Sequence, residues 1–563
     1  MYDFQRVTHW RTSLQTGVRR HWPLLGALLI NITLKACLLS AGVVPFNADE
    51  AVVALMARHI LQGERPVFFY GQAYLGSLDA WLIAGAFGLL GESVLVIRLV
   101  QSVLYLGVIA ATYALGLRIY ASRWVAGVAA LFLAAPTVLV TLYTTATLGG
   151  YGEMLLIGNI LLLMTLRLAG GRAQGSPLQE MRGWARGTWL GLGFLAGLGF
   201  WGFPLIGVYL IPIVIYLLAV ERASPSARLA DWLVCGAGFV VGAAPWLWFA
   251  VTGSAAVTAL AELSGSAIAG ASPSHPVFAA FQHLFNFLLL GLTVIWGLRP
   301  PWSARFLALP LAPFALAMHM AVIAFVLRMI YPARPRSPIW VKRWLLLGVS
   351  LTLIAAFILT PFGADPSGRY FLPLAAPAAL LMAEMLAGLR ARRRVWLANG
   401  LALGVVAFNV WGTAQSAADF PPGLTTQFDI VAQVDQRRLP AVMQFLRERG
   451  ETRGYTNYWV EFPLAFLSGE ELLYAARLPY HLNFNYTTRY NRYSPYAQAV
   501  EASPQAAYIT TRHPPLDERL RAGFQALGVS FEEKQIGDFH IFYALSRKVI
   551  PEELGLGSDC CSK

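Results

Sequence analysis

Through the first three quarters of the chain, apolar runs recur with short polar or basic breaks between them, and they stop near Trp411. Each run approaches the roughly 20 residues that a helix needs to cross a hydrocarbon core. The runs predict spans over 23–44, 94–117, 125–142, 154–166, a short pair 188–200 and 203–220, then 232–251, 306–327, 345–360, 371–389 and 395–410. A further run, 277–296, fits the alternation of sides only if the weakly apolar 254–271 also crosses, so 11 to 13 spans are expected.

After Trp411 the pattern becomes that of a soluble α/β domain of about 150 residues, an ordinary domain size. A helix-like stretch containing Val442, Phe445 and Leu446 ends at Gly450, a strand follows at 454–456, and a helix runs through Phe466 to Gly469. Strands at 471–475 and 506–510, a helix over 517–527 and strands through Phe542 complete it. The expected division is a cytoplasmic N-terminal segment 1–22, a multi-span membrane domain 23–413 and an extracytoplasmic domain 414–563.

Composition agrees with a polytopic α-helical membrane protein: of 563 residues 57% are hydrophobic and 13% charged, where a soluble domain carries about 25% charged. Mean hydropathy is +0.55. The net charge of +13 is unevenly placed, with 28 Lys plus Arg against 13 acids through Ala414 and 15 against 17 beyond it. The excess clusters in short loops (Arg167, Arg172, Arg182, Arg186; Arg328 to Arg343; Arg390 to Arg394), which is the positive-inside pattern rather than a nucleic-acid surface. Four cysteines, two of them in apolar runs and two in the tail, imply no disulfide framework. The apolar run 23–44 has no small-residue cleavage site after it and reads as a retained span.

The most informative polar stretch is the first outer loop, residues 45–78, PFNADEAVVALMARHILQGERPVFFYGQAYLGSL. Two adjacent acids, Asp49 and Glu50, open an amphipathic helix with an apolar stripe of Val53, Met56, Ala57, Ile60 and Leu61, the pattern of a helix lying along a membrane surface. Asn47 with Glu50 three positions on is also the pattern of a capping box, and acids in a first turn complement the helix dipole without any further role. Lys35, inside the first span, is costly there and therefore a functional candidate or a partner for an acid. His319, within a later span, reads as a packing residue.

Several segments resemble one family of membrane enzymes. Asp49-Glu50, the stretch Tyr70-Gly71-Gln72-Ala73-Tyr74-Leu75-Gly76-Ser77-Leu78-Asp79, Gly91 to Arg98 and Gly368-Arg369-Tyr370-Phe371-Leu372-Pro373 are similar to GT-C glycosyltransferases, most closely glycosyltransferase family 39, the protein O-mannosyltransferase-like group. Arg453 to Trp459 and Phe466 to Glu470 resemble the tail domains of bacterial members. The resemblance implies a sugar carried on a polyprenyl phosphate and an acceptor glycan, lipid or protein, met at the outer face of the cytoplasmic membrane. Inverting displacement would then use Asp49, with Glu50, as base, since a hydroxyl is a weak nucleophile and a carboxylate in reach can orient it and take its proton. The leaving phosphate needs a fixed cation. Arg369, beside Tyr370 and just ahead of a span, suits that role through its planar fork, with Arg98 as a second candidate and interfacial anchoring as the plain alternative. Tyr70, Gln72 and Tyr74 would contact substrate, and Glu153 would join Asp49 on a divalent ion, Mg or Mn. The aromatic run 478–496, with Arg489 and Arg492, suits either sugar stacking or plain packing on the membrane domain. A transporter or flippase of lipid-linked sugars, or a scaffold without catalysis, are the rival readings. A transporter predicts inverted repeats and broken spans, which the sequence does not display.

Overall fold

The computed structural model describes residues 2–171, 178–220, 225–252, 275–330, 338–365 and 367–557. Residues 254–271, on which the span count partly turned, lie outside the described residues, as do Cys560 and Cys561. Among the described residues eight helices are long and apolar enough to cross a membrane, nine if a bent pair counts as one span. The sequence-based count of 11 to 13 is reached only by adding shorter apolar helices, Leu78–Leu90, Arg123–Ala134 and Pro204–Val220.

The chain begins with α1 (Tyr2–Ser40), whose kink at His21 falls two residues before Pro23, where the ring removes a hydrogen bond and crowds the preceding turn. Next come α2 (Ala48–Gln62), a small hairpin β1 (Phe68–Phe69) and β2 (Gln72–Gly76), α3 (Leu78–Leu90) and α4 (Val94–Tyr120). The run 125–142, expected as one span, is two helices, α5 (Arg123–Ala134) and α6 (Val138–Tyr143). Pro136 explains the break, because a proline disfavours helical backbone in the residue before it and cannot donate to the helix ladder. The run 232–251 is likewise not straight: helices Arg228–Gly242 and Ala244–Thr252 meet at 70°, with Pro245 in the first turn of the second. α7 (Tyr151–Gly171) and α8 (Leu178–Gly202) follow α6, and the last membrane helix is Val395–Ala418.

The C-terminal domain carries a five-stranded sheet of order β4-β3-β5-β7-β6. β3 (Arg453–Thr456) pairs in parallel with β4 (Leu473–Ala476) and β5 (Ala507–Thr511), while β6 (Glu532–Ile536) and β7 (Phe539–Tyr543) form an antiparallel hairpin at its edge. Parallel neighbours need crossover connections, supplied by the helices Tyr458–Leu467 and Ser494–Ala502. The second of these lies partly within the aromatic run and was not expected.

The domain is welded to the first loop. α2 is not a helix lying free on a membrane surface: residues from Ala48 to Ala57, apart from Asp49, are buried, because α3 and the helix Tyr458–Leu467 both pack against it, while Leu61 of the expected stripe stays exposed. Phe462 and Phe466 share one continuous apolar core with Val52, Leu55 and Met56 of α2. Burying each such phenylalanine contributes about 1.5–3 kcal/mol. Arg58 binds Glu92 at 2.8 Å and the Phe466 carbonyl at 3.2 Å, with its guanidinium 4.7 Å from the Phe466 ring.

Candidate active site

Asn47 caps α2: its backbone is extended and its side chain accepts from the Glu50 amide at 3.0 Å. The cap fixes the first turn, and consecutive helical residues then diverge by about 100°. Asp49 therefore faces one way and Glu50 another. The capping box is only half made, because the Glu50 side chain does not return to the cap.

Asp49 faces a cleft of about 60 Å³ whose other lining residues include Gln72 and Tyr74 of the hairpin, Tyr151 at the start of α7, and Arg369 and Tyr370. Five residues singled out from the sequence thus meet in one place. Arg369 is held by Asp365 at 2.7 Å and donates from Nη2 to the Tyr370 hydroxyl at 3.3 Å. Its Nε is sealed from solvent and meets no acceptor among the described residues. The turn that aims it passes through Gly368 at φ +82°.

Glu50 is fully buried and binds Arg98 through two contacts, Nε to Oε1 at 3.2 Å and Nη2 to Oε2 at 3.1 Å. Burial raises the Glu50 carboxyl above its ordinary range, and the Arg98 guanidinium pulls it back. A two-pronged pair of this kind is the form in which a buried charge is tolerated. Arg98 therefore has its guanidinium spent on Glu50 rather than turned to the cleft. Behind Glu50 lies Asp79, which accepts from Gln101 Nε2 at 2.9 Å and from the Thr147 hydroxyl.

Glu153 is 4% exposed and faces Asp79. Among the described residues neither of its oxygens meets a hydrogen-bond partner. Glu153 does not line the cleft that Asp49 lines. The donor set expected for a divalent ion is thus not assembled, and among the described residues no group of three or more His, Cys, Asp or Glu could hold a metal.

Tyr70 lies outside the cleft lining. It donates to Glu64 at 2.5 Å, contacts His59 Nδ1 at 2.9 Å and stacks on Tyr493 with centroids 4.7 Å apart. His59 also reaches Glu470 at 3.0 Å, and Tyr496 donates to the same carboxylate at 2.8 Å. Burial raises the Glu470 carboxyl, but the bonds from His59 and Tyr496 outweigh that and bring it to about 2. Lys35 is buried, bonded to the Thr144 carbonyl and 4.8 Å from the centre of the Tyr105 ring, so it ties the first span to the segment leading to Tyr151. His319 packs on Trp296 at 5.1 Å and bonds the Ala315 carbonyl.

Two residues that sequence reasoning did not assign to the site approach Asp49 from the C-terminal domain. Tyr458 donates to Asp49 Oδ1 at 2.5 Å. Arg492 donates to the Gly71 carbonyl at 3.1 Å and, with the Gln72 amide set so that its oxygen faces the guanidinium, to that oxygen at 2.8 and 3.0 Å. Asp365 lies four residues before Arg369, and the turn through Gly368 brings the two together. Tyr458 and Arg492 had no local signal, being more than 400 positions from their partners.

No family model and no curated protein matches the sequence. Solved structures do match its fold. ArnT from Cupriavidus metallidurans bound to undecaprenyl phosphate aligns at 15% identity and TM-score 0.51 over 91% of this chain and 97% of that one. The Archaeoglobus fulgidus oligosaccharyltransferase in the apo form aligns at 15% identity and TM-score 0.54 over 87% and 69%. The archaeal oligosaccharyltransferase AglB from the same organism, in complex with an inhibitory peptide and a dolichol-phosphate, aligns at 13% identity and TM-score 0.50 over 93% and 74%. The chain is thus a multi-pass membrane protein with the GT-C fold, a helical membrane part followed by a sheet-containing C-terminal domain.

Proposed function

We propose that the protein is a glycosyltransferase that moves a sugar, by the family resemblance a hexose, from a polyprenyl-phosphate donor to an acceptor hydroxyl at the outer face of the cytoplasmic membrane. The observation that carries this reading is that Asp49 and Arg369 line one cleft together with Tyr74, Tyr151 and Tyr370. A carboxylate and a guanidinium facing one space match what the displacement requires at its two ends.

In the proposed step the acceptor oxygen attacks the anomeric carbon from the side opposite the phosphate, and its proton passes to the free oxygen of Asp49 as the new bond forms. The bond from the anomeric carbon to the phosphate oxygen breaks, and the electron pair leaves with the lipid phosphate. Arg369, oriented by Asp365, stabilises that charge with donors that need no reorganisation. Glu50 takes no part, because both its oxygens are engaged by Arg98. The ligands of two fold neighbours, undecaprenyl phosphate and dolichol-phosphate, are of the donor's lipid class and support the reading. With the basic loops in the cytoplasm, the region 414–563 lies outside, over the cleft.

Asp49→Asn tests this. With protein reconstituted in vesicles and supplied with undecaprenyl-phosphate-linked hexoses, transfer should fall by about 10²–10⁴ at unchanged expression and unfolding temperature. Undiminished transfer by the variant would reject the mechanism.

A further inference from the structure

The base expected in this cleft is held by the C-terminal domain, from residues more than 400 positions away from the loop carrying it. Tyr458 opens the helix Tyr458–Leu467 directly after β3, and Asn457 caps that helix, accepting from the Trp459 amide at 3.0 Å while its Nδ2 donates to Thr511 on β5 at 2.8 Å. The strand ends and the cap together fix the direction of the phenol. Tyr458 is 3% exposed, and its hydroxyl donates to Asp49 Oδ1 at 2.5 Å, with the Arg492 side chain as a second hydrogen-bond partner. A buried phenol whose neighbour is a carboxylate keeps its proton, and here burial and Asp49 both raise it well above the ordinary range. It can donate to Asp49 without competing as a base.

Arg492 stands on the other side of this contact. Its guanidinium carbon is 5.5 Å from the centre of the Tyr458 ring, and its nitrogens are fixed by the Gly71 carbonyl and the Gln72 amide at the turn of the first-loop hairpin. Gly71 has φ +68°, and a Cβ built there would come within 2.7 Å of Arg492 Cδ. The turn thus has both the backbone conformation and the space that the arginine requires. β2, beyond this turn, contributes Gln72, Tyr74 and Leu75 to the cleft.

We propose that Tyr458 and Arg492, both contributed by the C-terminal domain, are positioning residues for Asp49: the phenol pins one carboxylate oxygen so that the other is presented to the acceptor, and the guanidinium locks the phenol and the hairpin in register. This rests on the reading of Asp49 as the base. Fixing a carboxylate before the acceptor arrives removes a rotation that would otherwise be lost in the transition state, and misplacement of about 1 Å is enough to cost on the order of a hundredfold. The consequence is that the site is complete only when the C-terminal domain is docked on α2.

The test uses the full-length protein in vesicles, with the undecaprenyl-phosphate-linked hexose that the wild type consumes, following release of undecaprenyl phosphate. Tyr458→Phe keeps the ring and its packing and removes the hydroxyl, with its bonds to Asp49 and Arg492. It should lower kcat by about tenfold or more while the donor KM stays within about twofold and the unfolding temperature is unchanged. Arg492→Gln should act in the same direction, and Arg492→Lys, which keeps the charge and loses the fork, should fall between it and the wild type. A full kcat in Tyr458→Phe, or a change confined to KM, overturns the proposal. If Asp49→Asn is also fully active, the reading of the base is what has failed rather than the placement of its holder.

Discussion

On the cleft side of α2 a carboxylate meets one phenol and an open space; about 100° around the helix its sequence neighbour is closed in by an arginine, with two further acids behind it. Asp49 has Tyr458 on one oxygen, and across the cleft stands Arg369 with an unmatched Nε. Glu50, one position on, is matched at both oxygens by Arg98, and beyond it Asp79 is matched by Gln101 and Thr147. Among the described residues Glu50 and Asp79 at the back are matched, while Glu153, closed in against Asp79, is not. A ligand can reach the front, where Asp49 and Arg369 line an open cleft, and gains nothing at Glu50 or Asp79, where it would have to displace bonds already made.

Variants can break this contrast in order of expected size. Glu50→Gln leaves Arg98 as a buried charge without its counterion, and removing one member of such a pair costs about 3–5 kcal/mol. It should appear as a large fall in unfolding temperature and in yield of folded protein. If Glu50→Gln folded normally and lost transfer, Glu50 would belong to the front. Arg369→Gln should do the converse, lowering kcat/KM on the lipid-linked donor by about a hundredfold, or near 2.7 kcal/mol, while the fold survives. Gly71→Ala forces a left-handed backbone on an alanine and pushes against Arg492, which should cost about 1–2 kcal/mol of local stability and lower kcat by about tenfold. Glu153→Gln, assayed with the same donor, should change transfer by less than about threefold, since the carboxyl lies behind the cleft against Asp79; a loss of a hundredfold that added divalent ion reversed would return it to the catalytic group.

The smallest effect concerns the weld between the domains. The folded Glu470 carboxyl, at about 2, lies below its ordinary value of 4.5. Its contribution to stability is therefore fully present above pH 4.5 and is lost as pH falls toward 2. Glu470→Gln should lower the unfolding temperature at neutral pH, where that contribution is fully present, and flatten its pH dependence between about 4.5 and 2, as followed by thermal unfolding across that range.

The membrane helices were legible because apolar length alone sets a span; among the described residues the expectation broke where a proline lay inside a run, at Pro136 and Pro245, and it passed over the apolar helix Leu78–Leu90. The strands around Gly454 and Ala507 were legible for a similar reason, since short apolar runs bounded by turn residues leave few alternatives. Asp49 and Glu50 were not separable in this way. Their residue types, position and local cap are alike, and what distinguishes them is which of two remote segments each faces after one helical step. The aromatic run likewise read as a possible sugar platform, yet Tyr490 bonds Tyr480 at 3.0 Å and Tyr493 bonds Glu64 at 2.7 Å, so these rings pack within the tail and against the first loop. Arg492, in the same run, was named in the sequence without a partner, because its partners are backbone and amide groups of the hairpin, which leave no charge pattern to find.

The central claim concerns where the lipid phosphate sits. A structure of the protein with undecaprenyl phosphate bound tests it most directly: the account predicts phosphate oxygens within hydrogen-bond distance, about 2.7–3.2 Å, of the Arg369 guanidinium, with Asp49 facing the position of the sugar. A phosphate resting elsewhere on the bundle, with the cleft between Asp49 and Arg369 left without ligand, would contradict it.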